Sequence, residues 1–90
     1  MRIHPGYHLR ELGDDHLVIG KDAVAKKNER RVVRLNASAA FLWRAVEDKE
    51  FDAATLSALL QEEYGLEAAR AAADASAIVD VWVKAGLVDA

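Results

Sequence analysis

Arg31-Val32-Val33-Arg34-Leu35-Asn36-Ala37-Ser38-Ala39-Ala40-Phe41-Leu42-Trp43 changes its hydrophobic rhythm halfway along. Arg31–Leu35 is short and β-branched at its centre, which reads as a strand. Alternation sends Val33 and Leu35 to one face and Val32 and Arg34 to the other. Asn36 is then a good N-cap, because its side-chain oxygen can accept from the first free N–H groups of a helix. Past it, Ala39, Leu42, Trp43 and Val46 recur at helical spacing as an apolar stripe.

Everything upstream of this junction reads as strand. Tyr7–Leu12 and His16–Ile19 flank the turn signal Gly13-Asp14-Asp15. A three-residue Gly13–Asp15 loop puts Tyr7, Leu9, Leu17 and Ile19 on one face, whereas a two-residue Gly13-Asp14 loop scrambles that face. The longer turn is therefore expected. Gly20–Arg30 is polar and reads as a loop.

Downstream, three helices are expected. The first should stop near Asp48-Lys49. Asp52 caps the second, Phe51 can staple against Leu56, and Leu56, Leu59, Leu60 and Tyr64 line one face before Gly65 ends it. The third runs from about Glu67 to Ala85, with Ala71, Ala75, Ile78, Val79 and Trp82 as its core stripe. Gly86 stops it, and Leu87-Val88 should tuck back against the core. Segregated strands and helices predict a single α+β domain over residues 1–90, with an N-terminal three-stranded antiparallel sheet and a C-terminal three-helix bundle.

Composition narrows the function classes. Eighteen of the apolar residues are alanine, so the core must come from ten Leu, nine Val, three Ile and six aromatics. That suits a small domain with little room for a deep substrate cavity. With no cysteine, disulfides, thiolate metal sites and cysteine nucleophiles are excluded. No apolar run reads as a signal peptide or a membrane span, so a cytoplasmic location is expected. The net charge is −3, yet Lys26, Lys27, Arg30, Arg31 and Arg34 form a basic strip that suggests an anionic partner at one place.

Several signals carry no chemistry. His4, His8 and His16 lack zinc-like spacing and read as surface histidines, although the expected register puts His8 and His16 on one sheet face. Ser38, Ser57 and Ser76 sit in helices without a nucleophile elbow. Glu62 and Glu63 point about 100° apart on their helix and cannot converge on one bond. Trp43 and Trp82 fall on apolar stripes and read as core. No cofactor and no catalysis are expected.

The run Val33–Trp43, with Phe51-Asp52 and the closing Ala85-Gly86-Leu87-Val88, resembles the PqqD family of small winged-helix-like proteins. The resemblance runs from about Tyr7 to Val88. It implies a peptide chaperone that binds the leader of a ribosomally made precursor peptide and presents it to a tailoring enzyme, often a radical S-adenosylmethionine enzyme. In the family the leader adds as a strand in the cleft between the third strand and the third helix, here Arg31–Leu35 and roughly Asp74–Lys84. One departure is local. Family members frequently carry a Glu-Gly-Lys-like turn after the first helix, where this chain has Glu47-Asp48-Lys49. Aspartate tolerates a left-handed turn, so the turn should survive.

The residues themselves agree with that picture. An edge strand offers unpaired N–H and C=O groups to an extended peptide of any sequence. Arg31 and Arg34 can protect that edge or select an acidic leader. On the third helix Asp74, Ala77, Val81 and Lys84 form a second row, and alanine at 77 leaves space beside Val81. The expected peptide-binding set is thus Arg31, Val32, Val33, Arg34, Leu35, Asp74, Ala77, Val81 and Lys84. A free edge can also pair with a second copy, so a homodimer is the other expectation for it. The alternative function is a winged-helix DNA-binding regulator. Its recognition helix here would carry Glu67, Asp74 and Asp80 against Arg70 and Lys84, a net acidic surface that phosphates repel.

Overall fold

A computed structural model describes residues 1–21 and 30–89. Along the chain run β1 (Arg2–Ile3), β2 (Tyr7–Leu12), β3 (Asp15–Lys21), β4 (Arg30–Leu35), α1 (Ala37–Val46), α2 (Ala53–Tyr64), α3 (Ala68–Lys84) and β5 (Val88–Asp89). Strands β2, β3 and β4 form an antiparallel sheet in chain order, and the three helices follow it, so the fold is α+β. Residues 22–29, including Lys26 and Lys27 of the basic strip, lie outside the described residues. The flanks of the expected Gly20–Arg30 loop are strand instead, because Gly20↔Arg31 and Lys21↔Arg30 continue the β3–β4 ladder.

The hairpin corrects the expected register. Tyr7 pairs with Gly20, Leu9 with Val18 and Leu12 with Asp15, which leaves a two-residue Gly13-Asp14 turn. Gly13 takes φ +63°, the positive value that a type II′ hairpin turn asks of its first central residue. The face towards the helices is therefore Tyr7, Leu9 and Val18, continued by Val33 and Leu35, while Leu17 and Ile19 face outward. His8 and His16 fall on opposite faces. The physical reason lies at Gly20. A Cβ there would strike the Gly6 carbonyl and come within 2.6 Å of Tyr7 Cδ1. Only a residue without a side chain lets the buried Tyr7 ring lie across this strand, and that crossing fixes the register.

Helix boundaries follow their caps. Asn36 Oδ1 accepts from Ala39 N–H at 2.8 Å, and Asp52 Oδ1 accepts from Thr55 N–H at 2.8 Å while Asp52 N–H donates back to Thr55 Oγ1. Helix α3 ends in a Schellman motif. Leu87 N–H donates to Trp82 C=O and Gly86 N–H to Val83 C=O, with Gly86 at φ +74°. That reversal returns the chain to pair β5 with β1, Ile3 opposite Val88, a two-stranded ribbon too short to show a hydrophobic pattern. The Glu47-Asp48-Lys49 turn forms without any left-handed residue: Lys49 N–H donates to Val46 C=O at 3.0 Å. Its departure from the glycine-bearing pattern is therefore accommodated in right-handed backbone.

The core centres on aromatic rings. Trp82 of α3 meets Trp43 of α1 edge-on at 5.4 Å and Phe51 edge-on at 6.0 Å. Leu42, Leu56, Leu60, Leu87 and Val18 complete it. Ile78 and Val79 of the expected α3 stripe are half-buried, and Tyr64 of the α2 stripe is exposed, packed edge-on against Phe41. No helix among the described residues is long and apolar enough to cross a membrane.

Two measurements check this account. Gly20→Ala should destabilise the protein by about 1–3 kcal/mol, because the Tyr7 ring and Gly6 carbonyl must shift. An unchanged urea midpoint would mean the strand crossing is looser than described. The hydrogen bonds from Thr55 N–H and Thr55 Oγ1 hold the Asp52 carboxyl below its ordinary value. Its contribution is therefore full above the unfolded-state carboxylate value and is lost as pH falls through the lower folded value. Asp52→Ala should lower Tm at pH 7, and the gap between the two proteins should close as the pH is brought into the acid range.

Candidate functional site

Strand β4 carries β3 on one side, and among the described residues no strand pairs with its other side. Alternate residues of such an edge present N–H and C=O groups sideways, since only half of the backbone groups point to the neighbour already present. One hollow lies between the C-terminal end of β4 and α3, and a second, between α1, α2 and α3, shares Asn36, Ala77 and Ile78 with it; the two form one groove.

The first hollow, of about 270 Å³, sits at the C-terminal end of β4. Leu35 and Ala39 wall it from the strand and α1, and Ala77, Ile78, Val81 and Trp82 wall it from α3, with Arg34 at its mouth. The Val81 side chain stands 55% exposed at the wall of this hollow. The second hollow, of about 410 Å³, continues past the end of the strand. Leu60, Leu66 and Ile78 lie beneath it, and Asn36, Ser38, Tyr64, Arg70 and Asp74 surround its opening.

The groove is polar at its rim only. Arg34 reaches Asp15 at 3.5 Å across the outer sheet face, with both side chains more than half exposed. Arg70 lies 3.7 Å from Asp74, one helical turn away. Exposed pairs of this kind contribute roughly 0–1 kcal/mol, so Arg70, at the second hollow, can exchange its partner for an incoming carboxylate at little cost. Behind them, Glu11 bonds Arg44 of α1 and lies 3.4 Å from His16 Nδ1, a link that holds the hairpin against the first helix.

The expected site residues divide into three groups. Arg34, Leu35, Ala77 and Val81 converge on the first hollow, and Asp74 lines the second. Val33 is half-buried on the face towards the helices, while Val32 is 58% exposed on the opposite face, away from the groove. Lys84 is exposed in the last turn of α3 and lines neither hollow, and the Arg31 side chain lies outside the described residues. Sequence reasoning passed over Asn36, Ala39, Ile78, Trp82 and Arg70. Ile78 and Trp82 read as core because they are core. Ile78, half-buried, and Trp82, 1% exposed, nonetheless border the first hollow, and helical periodicity cannot separate the two roles. Arg70 was legible as one turn before Asp74.

Elsewhere, His4 Nε2 lies 3.1 Å from Asp89, tying β1 to β5. No group of three or more His, Asp or Glu able to hold a metal occurs among the described residues.

Residues 23–88 match the family model described as Coenzyme PQQ synthesis protein D (PqqD). The matched stretch holds β4, all three helices and the start of β5, and so contains both walls of the groove; the β2–β3 hairpin precedes it. No match was found among curated proteins or among solved structures. With residues 23–88 of its 90 covered by that match, the chain belongs to the PqqD family.

Proposed function

We propose that this protein is a non-catalytic peptide chaperone that captures the leader of a ribosomally made precursor and presents it to a modifying enzyme, a radical S-adenosylmethionine enzyme being the expected one. The leader adds to β4 as a further strand, lies along α3, and lodges apolar side chains in the first hollow. The observation that carries this reading is the open β4 edge facing a recessed apolar hollow, in a chain of the PqqD family. Backbone pairing supplies affinity without regard to sequence, and the hollows supply selection. Arg34, which borders the first hollow, favours an acidic leader through on-rate and register more than through affinity. Ordering a flexible leader offsets much of the gain, so a roughly micromolar Kd, about 8 kcal/mol, is expected.

Val81→Glu places a charge on the hollow's wall at a position exposed in the free protein. It should reduce affinity for the leader peptide at least about tenfold while circular dichroism and Tm stay unchanged. Unaltered affinity in a folded variant would move the peptide elsewhere. Strand addition has its own signature. N-methylation of successive leader peptide bonds removes one donor at a time, and the losses measured by calorimetry should alternate along the bound stretch with a period of two. Equal tolerance at every position would argue for recognition through side chains alone. The same titrations against random duplex DNA at low salt test the DNA-binding alternative, which requires measurable affinity there.

A further inference from the structure

The two hollows differ in chemistry and are displaced along α3, which makes the groove a ruler as well as a recess. From α3 the first hollow takes Ala77, Ile78, Val81 and Trp82, and the second takes Arg70, Asp74, Ala77 and Ile78. The centres of these two sets differ by about one and a third helical turns, roughly 7 Å at the helical rise. An extended chain advances about 3.3–3.4 Å per residue and repeats its facing side chains every second residue, close to the same distance.

Resting on the peptide-capture reading above, we infer that the groove selects a leader bearing a large aliphatic residue at one position and a glutamate two positions away, on the side that runs past the end of β4. The first hollow is lined by Leu35, Ala39 and the apolar face of α3, and a Leu or Ile fills it without leaving a polar group unpaired. The second hollow has an apolar floor, Leu60 and Ile78, under a polar opening, which fits a side chain with a methylene stem and a polar end.

The charge at that opening sets the sign. Asn36 Oδ1 is already engaged by Ala39 N–H and by the Ser38 hydroxyl at 3.0 Å, so its amide nitrogen is the group left for a ligand. The N-terminus of α1 at the same place adds partial positive charge. Arg70, 72% exposed beside Asp74, can swing its guanidinium to a second carboxylate. The formal charges of Arg70 and Asp74 offset, and the Ser38 and Tyr64 hydroxyls can accept as well as Asp74, so the Asn36 amide and the α1 N-terminus tip the opening towards a carboxylate over an ammonium.

A random extended-peptide library displayed on phage and selected on the full chain tests this directly. Enriched peptides should share Leu or Ile and Glu at i and i+2. In a chosen binder, the aliphatic residue to Ala should cost about tenfold in Kd and Glu to Lys about two- to fivefold. Arg70→Glu, a substitution at an exposed position, should reverse the second preference, so that the Lys peptide binds this variant better than the Glu peptide. Enriched peptides that bind and alternate under N-methylation, but lack the i, i+2 pair or ignore Arg70→Glu, overturn this inference and leave peptide capture standing. A library yielding no binder at all, with no binding of extended peptides by calorimetry, overturns the capture reading itself.

Discussion

Trp82 is the side chain on which the arrangement turns. Its ring lies edge-on to both Trp43 and Phe51, so a single residue ties α3 to α1 and to the entry of α2. A ring of this size can be buried in only one rotation of the helix about its axis, since turning α3 by one residue would move the indole by about 100°. Fixing Trp82 inward therefore also fixes Ile78 and Val81 along the flank that faces β4, and Val83 on the opposite flank. The groove is a consequence of core packing: the first hollow is bordered by the same buried indole that fills the interior. Truncating Trp82 would remove a large share of a limited core, on the order of 3–5 kcal/mol, and the groove with it.

The second constraint comes from the sheet. A one-residue slip of a strand exchanges its faces completely. Gly20 beneath Tyr7 excludes the slipped pairing in which Leu17 and Ile19 would face the helices, and so Val18 and Val33 do. This register also brings Glu11 to Arg44 on α1. Hairpin and first helix are thereby held together, and β4, hydrogen-bonded to the hairpin, is held at a set distance from α3. The hairpin lies ahead of the stretch that matches the family, yet it supports the strand on which the matched part depends.

How much of this was legible beforehand follows from the range of each interaction. The helix caps at Asn36, Asp52 and Gly65 are local, set by residues within one turn, and the sequence places them correctly. The hairpin register depended on which of two aliphatic sets faced the helices. The apolar set Leu17 and Ile19 was as hydrophobic as Val18, and nothing local announced that a tyrosine would need a glycine opposite it. The β1–β5 ribbon joins residues at the two ends of the described chain, and two-residue strands leave no periodic trace. In the groove, Ala77 and Val81 were readable as a second row on α3. The contribution of Ile78 and Trp82 was hidden: Ile78 is half-buried, and Trp82 borders the hollow while only 1% exposed, so both read as core. Val32 lies on β4, on the face that looks away from α3.

An open edge in a domain this small invites pairing with any other strand, and what restrains that here is shape more than charge. Arg34 borders the first hollow and Arg70 the second, and their pairings with Asp15 and Asp74 are exposed and weak. The edge is not presented flat, however. Helix α3 stands beside it, with Val81 projecting over the recess. A second copy pairing through its own β4 would bring its own α3 alongside the strand it offers, so each groove would have to admit a helix together with a strand. A lone extended segment, the occupant proposed above, has no such flank, and on that proposal its side chains enter the first hollow while its backbone meets β4. The same recess that exposes apolar surface thus restricts who can cover it. On the peptide-capture proposal, that shape suits a single extended segment.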